Sequence, residues 1–202
     1  EQEVITDTAQ KIAALLLERF GTYISDEKRD RIAEIANRVL VVDEDIMRQY
    51  KRNRVENPIK RFFTNLRLDR ESKIDAVQFG LYDEDYNTMF LLSPRDTDSA
   101  IDKMPELISY FKKGGADAAD SRRQAVEYLT TSTLAHELLH VIGREEAPEL
   151  FKELGAEYYQ RDILNILYPD QRTLNGLIVN TDARIYEAAE NKFGKEIMLK
   201  TF

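Results

Sequence analysis

The sequence predicts an α+β protein that is mostly helical and has a small antiparallel β-sheet. Three observations favour this fold class. Apolar residues recur at helical spacing through most of the chain. The spacing changes to alternation only between residues 74 and 92. A length of 202 residues, of which 43% are hydrophobic, is enough for one domain with a substantial core.

Residues 1–70 carry helical patterns. Thr6 or Asp7 is expected to cap the first helix, which carries apolar residues at helical spacing. Ser25 precedes three charged residues and is the expected N-cap of the second helix. That second helix is expected to extend as far as Leu40, because the apolar spacing continues to that residue.

The alternating stretch predicts a β-hairpin. Asp83-Glu84-Asp85 is a turn signal between two extended segments, which begin at Ile74 and Tyr86. The outer strand of a hairpin can pair with an extended peptide and hold it along the sheet edge. The alternative is that the hairpin only covers a neighbouring helix. The two interpretations are compatible, and both remain open at this stage.

The stretch that indicates chemistry is residues 134–143, which contains the pattern His-Glu-x-x-His. On a helix, residues four apart lie on one face, so His136 and His140 can both bind one ion. Glu137 lies beside that ion without being needed as a ligand. Zinc requires such a geometry, with a third protein ligand and an open position for water. A glutamate beside the water can then act as general base.

The histidine content makes this motif specific. The chain has only two histidines, and both belong to the motif. Two histidines placed at random would fall four residues apart in about one chain in a hundred, and the glutamate reduces that about tenfold further. The apolar neighbours Leu134, Leu138 and Ile142 can pack the helix without help from the imidazoles. The sequence therefore predicts a site for one Zn²⁺ ion.

The third ligand is expected from the next helix, which is predicted to begin at Pro148 and to end near Tyr168. Spacing alone does not decide which carboxylate is the third ligand. Glu145 and Glu146 follow His140 so closely that the chain would have to bend back sharply for either to reach the ion. The candidates are Glu145, Glu146, Glu149, Glu153 and Glu157.

The two-helix pattern resembles the gluzincin clan of zinc metallopeptidases, in particular the minigluzincins and the ImmA/IrrE-type metallopeptidases. Their ligand glutamate often stands in a Glu-x-x-x-Asp pattern, which Glu153-Leu154-Gly155-Ala156-Glu157 matches with glutamate in the last position. The resemblance covers residues 74–169. It implies that the zinc ligands are His136, His140 and Glu153, that Glu137 is the general base, and that Glu157 orients a ligand histidine. The second glutamate leaves the roles of Glu153 and Glu157 exchangeable.

The resemblance implies a zinc metallopeptidase, most simply an endopeptidase, that acts on an extended peptide or protein. Residues 71–202 then form a zincin-like catalytic domain, and residues 1–70 a helical region with an accessory or pro-segment role. In some small gluzincins a terminal segment lies across the cleft and keeps the enzyme inactive. The tail from Lys195 to Phe202 or the N-terminal helices could have such a role here.

Other interpretations stay open. One is a metzincin-like site, because His140-Val141-Ile142-Gly143 begins that pattern; its third ligand would be Glu146 instead of histidine. Another is a zinc-containing regulatory or partner-binding domain that hydrolyses nothing. A further one is an effector that cuts a single protein. An oxyanion donor is also required in a peptidase. Four tyrosines are candidates by type, although each is expected in the core: Tyr158, Tyr159, Tyr168 and Tyr186.

Charge and composition exclude several classes of partner. The formal net charge of −8 argues against nucleic acid or an anionic membrane as the main partner. No apolar run approaches the length of a membrane span. The chain has no cysteine, so a disulfide framework and a thiolate zinc site are both excluded. We favour the cytoplasm over secretion, and the sequence leaves the oligomeric state open.

Overall fold

The computed structural model describes residues 2–53, 79–115, 117–143, 147–178 and 183–201. The helices are α1 (Gln2–Phe20), α2 (Asp26–Ala36), α3 (Glu44–Asn53), α4 (Pro94–Ile101), α5 (Pro105–Lys113), α6 (Ala118–Ile142), α7 (Glu149–Leu167), α8 (Arg172–Ile178), α9 (Ala183–Phe193) and α10 (Lys195–Thr201). A short 3₁₀ helix, Pro169–Gln171, precedes α8. The strands are β1 (Val39–Val42), β2 (Gly80–Asp83) and β3 (Thr88–Leu92). The fold is therefore mostly helical α+β, as predicted.

Within the described ranges, the sheet has three strands in the order β1–β3–β2 and is mixed, not purely antiparallel as expected. The hairpin of β2 and β3 is present, and its turn contains Asn87 with a left-handed φ of 48°. The additional strand is β1, where the second helix was expected to continue. Val39, Val41 and Val42 explain this difference, because β-branched side chains favour a strand when a partner strand is available. The expected hairpin residues before Phe79 lie outside the described residues.

The predicted N-cap is correct for α2 and wrong for α1. Ser25 caps α2 as expected, since its hydroxyl accepts a hydrogen bond from the Lys28 amide at 3.3 Å. The cap predicted at Thr6 or Asp7 is wrong, because α1 already begins at Gln2. The Thr6 hydroxyl instead donates to the Gln2 carbonyl one turn earlier, at 3.0 Å. This local bond lets a threonine be accommodated inside a helix.

The chain forms two compact units, each made of segments that are distant in sequence. The first comprises Glu1–Val39, Tyr82–Met89 and Thr131–Phe202, and the second comprises Leu40–Leu81 and Phe90–Thr130. The predicted boundary between residues 70 and 71 falls in a stretch outside the described residues, so that division stays a prediction.

The first unit is built on helix α7. Helices α1 and α9 pack against α7, and α1 also packs against α2. Phe20 of α1 meets Tyr159 of α7 edge to face, with ring centroids 5.1 Å apart, and both residues are fully buried. The second unit has a smaller aromatic contact between Phe111 and Tyr128, at 6.0 Å. None of the described helices combines the length and the apolar character that crossing a membrane requires.

The two helices expected to carry the site are present in the first unit. Helix α6 contains the motif and ends at Ile142, followed by Gly143. Helix α7 follows Pro148 and ends at Leu167, one residue before the predicted end. The Lys28 ammonium of α2 donates to the carbonyls of Ile142 and Gly143, at 2.6 and 2.5 Å. A cation at this position satisfies carbonyls that the helix end leaves unpaired.

Candidate metal centre

Three side chains from α6 and α7 converge on one point. His136 and His140 place their Nε2 atoms 3.1 Å apart. The Glu153 carboxylate lies 3.3 Å from Nε2 of His136 and 3.5 Å from Nε2 of His140. These residues form a group that can hold a metal ion. Helical periodicity explains the first pair, because residues four apart lie on the same face of α6.

The spacing of these donor atoms fits zinc. Donors about 2.0–2.1 Å from a tetrahedral ion lie about 3.3–3.4 Å from one another. The two Nε2 atoms are 3.1 Å apart, and each lies at a similar distance from a different oxygen of Glu153: 3.3 Å from His136 to Oε2 and 3.5 Å from His140 to Oε1. Two imidazole nitrogens and a carboxylate are also the donor set of many three-ligand zinc sites. The side chain of Glu153 is 44% exposed, so a molecule from solvent can approach the group on that side.

A buried hydrogen bond fixes the register of the two ligand helices. Gln160 of α7 donates to both the carbonyl and the hydroxyl of Ser132 in α6, at 2.7 and 2.8 Å. Ser132 lies one helical turn before His136, and Gln160 lies about two turns after Glu153. Because α6 and α7 run in opposite directions, these pairs form successive layers between the helices. The Ser132–Gln160 hydrogen bonds therefore fix the position of α7 along α6, so that Glu153 lies opposite the two histidines.

Glu157 lies one turn after Glu153 on α7 and is not among the three converging residues. Its negative charge is close enough to His136 to favour protonation of that ring. This position agrees with an orienting carboxylate better than with a ligand. Of the two glutamates that the sequence left exchangeable, the structure brings Glu153 into the cluster.

The Glu137 side chain accepts a hydrogen bond from the β2–β3 hairpin. The backbone amide of Tyr82 in β2 donates to Oε2 of Glu137 at 2.8 Å. In the hairpin, the amide of Leu92 donates to the carbonyl of Phe79, at 2.8 Å. Alternation of antiparallel hydrogen bonds then makes the amide of Tyr82 point away from β3, out of the sheet edge. The edge strand therefore fixes the carboxylate beside the metal-binding group.

Protonation of the metal-free cluster is asymmetric. Burial opposes protonation of His136, but the Glu153 carboxylate and the charge of Glu137 outweigh it and raise the pKa of His136 above 6.5. Burial and the neighbouring His136 lower the pKa of His140 to about 4. The hydrogen bond with His136 lowers the pKa of Glu153 despite its partial burial. The cluster thus accommodates a single positive charge at the position where an ion would bind.

The tyrosines proposed as oxyanion donors point elsewhere. Tyr159 donates to Glu190 at 2.9 Å, Tyr186 donates to the Met198 carbonyl at 3.2 Å, and Tyr168 donates to Thr131 at 3.0 Å. Tyr158, Tyr159 and Tyr186 are buried, so the expectation that they belong to the core is confirmed, whereas Tyr168 is only half-buried. Burial, followed by the charge of Glu190, raises the pKa of Tyr158 to about 12.

Several residues that shape the site were not predicted from the sequence. They are Lys28, Tyr82, Ser132 and Gln160. Ser132 shares the helical spacing of the histidines, and Gln160 continues the spacing of Glu153 and Glu157 along α7, so a signal existed for these two. Glu146, the ligand of the metzincin-like alternative, lies outside the described residues.

Comparison with protein-family models, with curated proteins and with solved structures gives no match to this chain.

Proposed function

We propose that this protein is a zinc-dependent peptidase of gluzincin type that cleaves an extended peptide or protein. One observation carries the proposal: two imidazole nitrogens and a carboxylate converge as a group that can hold one metal ion, while the carboxylate of the neighbouring Glu137 is bound by a backbone amide and is not part of that group. A purely structural zinc site has no need of such an additional carboxylate and usually has four protein ligands.

His136, His140 and Glu153 would hold the ion. Bound zinc would supply Lewis acidity, both polarising a peptide carbonyl and making a water molecule easier to deprotonate. Glu137 would accept the proton of the attacking water and then donate it to the amine that leaves when the C–N bond breaks. Glu157 would orient His136, and its charge would increase the basicity of that ring.

The substrate would lie along β2. Among the described strands, whose order is β1–β3–β2, this strand is an outer one, and its Tyr82 amide already points toward Glu137. An extended peptide can add to such an edge through backbone hydrogen bonds. This arrangement would bring a scissile bond near the general base without requiring a particular side chain.

A matched pair of variants tests this proposal. The purified chain is titrated with zinc, and cleavage of a peptide library is followed by mass spectrometry. We expect one zinc per chain. Glu137→Gln should retain that zinc and reduce cleavage by about 10²–10⁴-fold, because it removes only the proton acceptor. Glu127→Gln, at a partly exposed position of the same helix, is the control and should cleave at the parent rate.

The alternative is a zinc-containing domain that binds a partner and hydrolyses nothing. Retained zinc, with no cleavage by the parent chain or by either variant, would favour it. Failure of the parent to bind zinc would contradict both functions. The metzincin-like arrangement predicts that Glu146→Gln, and not Glu153→Gln, weakens zinc binding.

A further inference from the structure

Helix α2 contacts two elements that surround the candidate site. At its first turn, Lys28 donates to the last carbonyls at the C-terminal end of α6, those of Ile142 and Gly143. One turn later, Arg31 reaches the turn of the β2–β3 hairpin. Its Nη2 donates to the Glu84 carbonyl at 3.1 Å, and its Nε donates to Oδ1 of Asn87 at 2.9 Å.

The side-chain amide of Asn87 forms hydrogen bonds with two residues of α2. Its oxygen accepts from Arg31, and its Nδ2 donates to Oε2 of Glu34 at 2.8 Å. Lys28, Arg31 and Glu34 are three residues apart in succession, so they lie along one side of α2. Asn87 also has the left-handed φ of 48° that the turn requires, and asparagine tolerates this conformation better than most residues.

We infer that α2 is a bracket, formed by Lys28, Arg31 and Glu34, that holds the hairpin at a fixed distance from the motif helix. The hairpin in turn holds Glu137 through the Tyr82 amide, five residues before Asn87. These three residues of α2 are therefore positioning residues for the carboxylate, although none of them belongs to the metal-binding group. Part of the expected accessory region, residues 1–70, is thereby a component of the site.

The inference rests on the proposed function only for its effect on catalysis. The bracket itself has a physical consequence that requires no activity: the Tyr82 amide should exchange slowly with solvent because it donates to Glu137. Loosening the hairpin should expose that amide while leaving the histidines and Glu153 in place. A structural role limited to overall stability would instead accelerate exchange in the helices as well.

Variants of Asn87 separate these effects. Asn87→Gly keeps the left-handed turn and removes the amide that α2 holds. Asn87→Asp keeps an acceptor for Arg31 but replaces the donor to Glu34 by a carboxylate oxygen, so the lost hydrogen bond and the repulsion from Glu34 should loosen that side of the turn. Adding Glu34→Gln to Asn87→Asp restores the bond with its direction reversed, because the glutamine amide can donate to the new carboxylate. Glu84→Gln, an exposed change in the same turn, is the matched control.

The experiment measures amide exchange of the full-length chain by NMR, zinc affinity by competition with a chelator, and kcat and KM for a peptide substrate. Asn87→Gly and Asn87→Asp should accelerate exchange of the Tyr82 amide and lower kcat by about 10–100-fold each. Zinc affinity and exchange in α6 should stay at the parent values. The double variant should recover both protection and kcat, and Glu84→Gln should change neither.

Unchanged Tyr82 protection in Asn87→Gly would overturn the bracket, as would equal loss of protection throughout α6. Loss of protection with an unchanged kcat would show that the bracket does not position the general base, and would also overturn the inference. If the parent chain cleaves no peptide while Tyr82 exchange still responds as expected, the bracket stands and the proposed peptidase function fails.

Discussion

The three residues that can bind a metal and the proposed general base are positioned by different parts of the molecule. His136 and His140 share a helix, and Glu153 reaches them from the next helix along the chain. Glu137 lies on that same first helix, yet its carboxylate is fixed by an amide 55 residues earlier in the sequence. Metal binding should therefore depend on α6 and α7 alone, whereas proton transfer should also depend on the hairpin and on α2.

The strongest test of this contrast removes a ligand. His140→Ala should weaken zinc binding by about a thousandfold, because a three-ligand site loses one of its strong bonds. Affinity is measured by competition with a chromogenic chelator. Asn87→Gly serves as the comparison and should bind zinc like the parent, since it acts only on the hairpin. Similar losses in the two variants would refute the separation of the two regions.

The two glutamates of α7 sharpen the ligand assignment. Glu153→Gln should weaken zinc binding by about a hundredfold, since it removes a charged ligand. Glu157→Gln should weaken it by only about tenfold, because the residue orients a ligand instead of binding the ion. Both affinities come from the same chelator competition, with Glu106→Gln at an exposed position of α5 as the control. The reverse order would make Glu157 the third ligand.

The same contrast explains what the sequence could predict. Helical periodicity, together with Pro148 before the second helix, predicted the two helices that carry the cluster, and the motif predicted that His136 and His140 would meet. Those features depend on neighbours a few residues apart. The choice between Glu153 and Glu157 required the register of α6 against α7, which the Ser132–Gln160 bond reports and no local pattern contains.

Non-local pairing accounts for the remaining differences. Val39–Val42 has enough apolar spacing to extend a helix, and it becomes a strand because β3 offers a partner. The bracket joins α2 to residues more than fifty positions away through Arg31 and Asn87. Nothing near Arg31 in the sequence distinguishes it from an ordinary solvated cation on a helix.

Zinc affinity should depend on pH through one histidine. Zinc binds neutral imidazole, so a bound proton competes with it. As pH falls through the raised pKa of His136, the affinity should begin to drop, by about tenfold per pH unit. His140 adds no second proton until about pH 4, because burial and His136 lower its pKa to that value. The single-proton slope should therefore extend from above pH 6.5 down to about pH 4.

A chelator competition repeated at several pH values checks this slope. Glu153→Gln should move the onset of the decline to lower pH, because it removes the hydrogen bond that favours the protonated form of His136. A slope of two protons between pH 6 and 5 would show that both histidines titrate together, and would contradict the asymmetry of the cluster.

The smallest expected effect concerns the register bond between the ligand helices. Gln160→Leu removes the donor that both Ser132 acceptors share, and should lower the free energy of unfolding by about 1–3 kcal/mol. For a chain of this size, that corresponds to a decrease in Tm of about 2–4 °C per kcal/mol. Thermal unfolding of the metal-free chain measures it, with Gln10→Leu at an exposed position of α1 as the control.

Zinc should enlarge this difference. If the bond holds Glu153 level with the histidines, its loss also weakens zinc binding, so Gln160→Leu gains less stability from a given zinc concentration than the parent does. The gap in Tm between the two chains should therefore be wider with zinc than without it. An equal gap in both conditions would mean that the Ser132–Gln160 bond stabilises the helix pair without setting the geometry of the ligands.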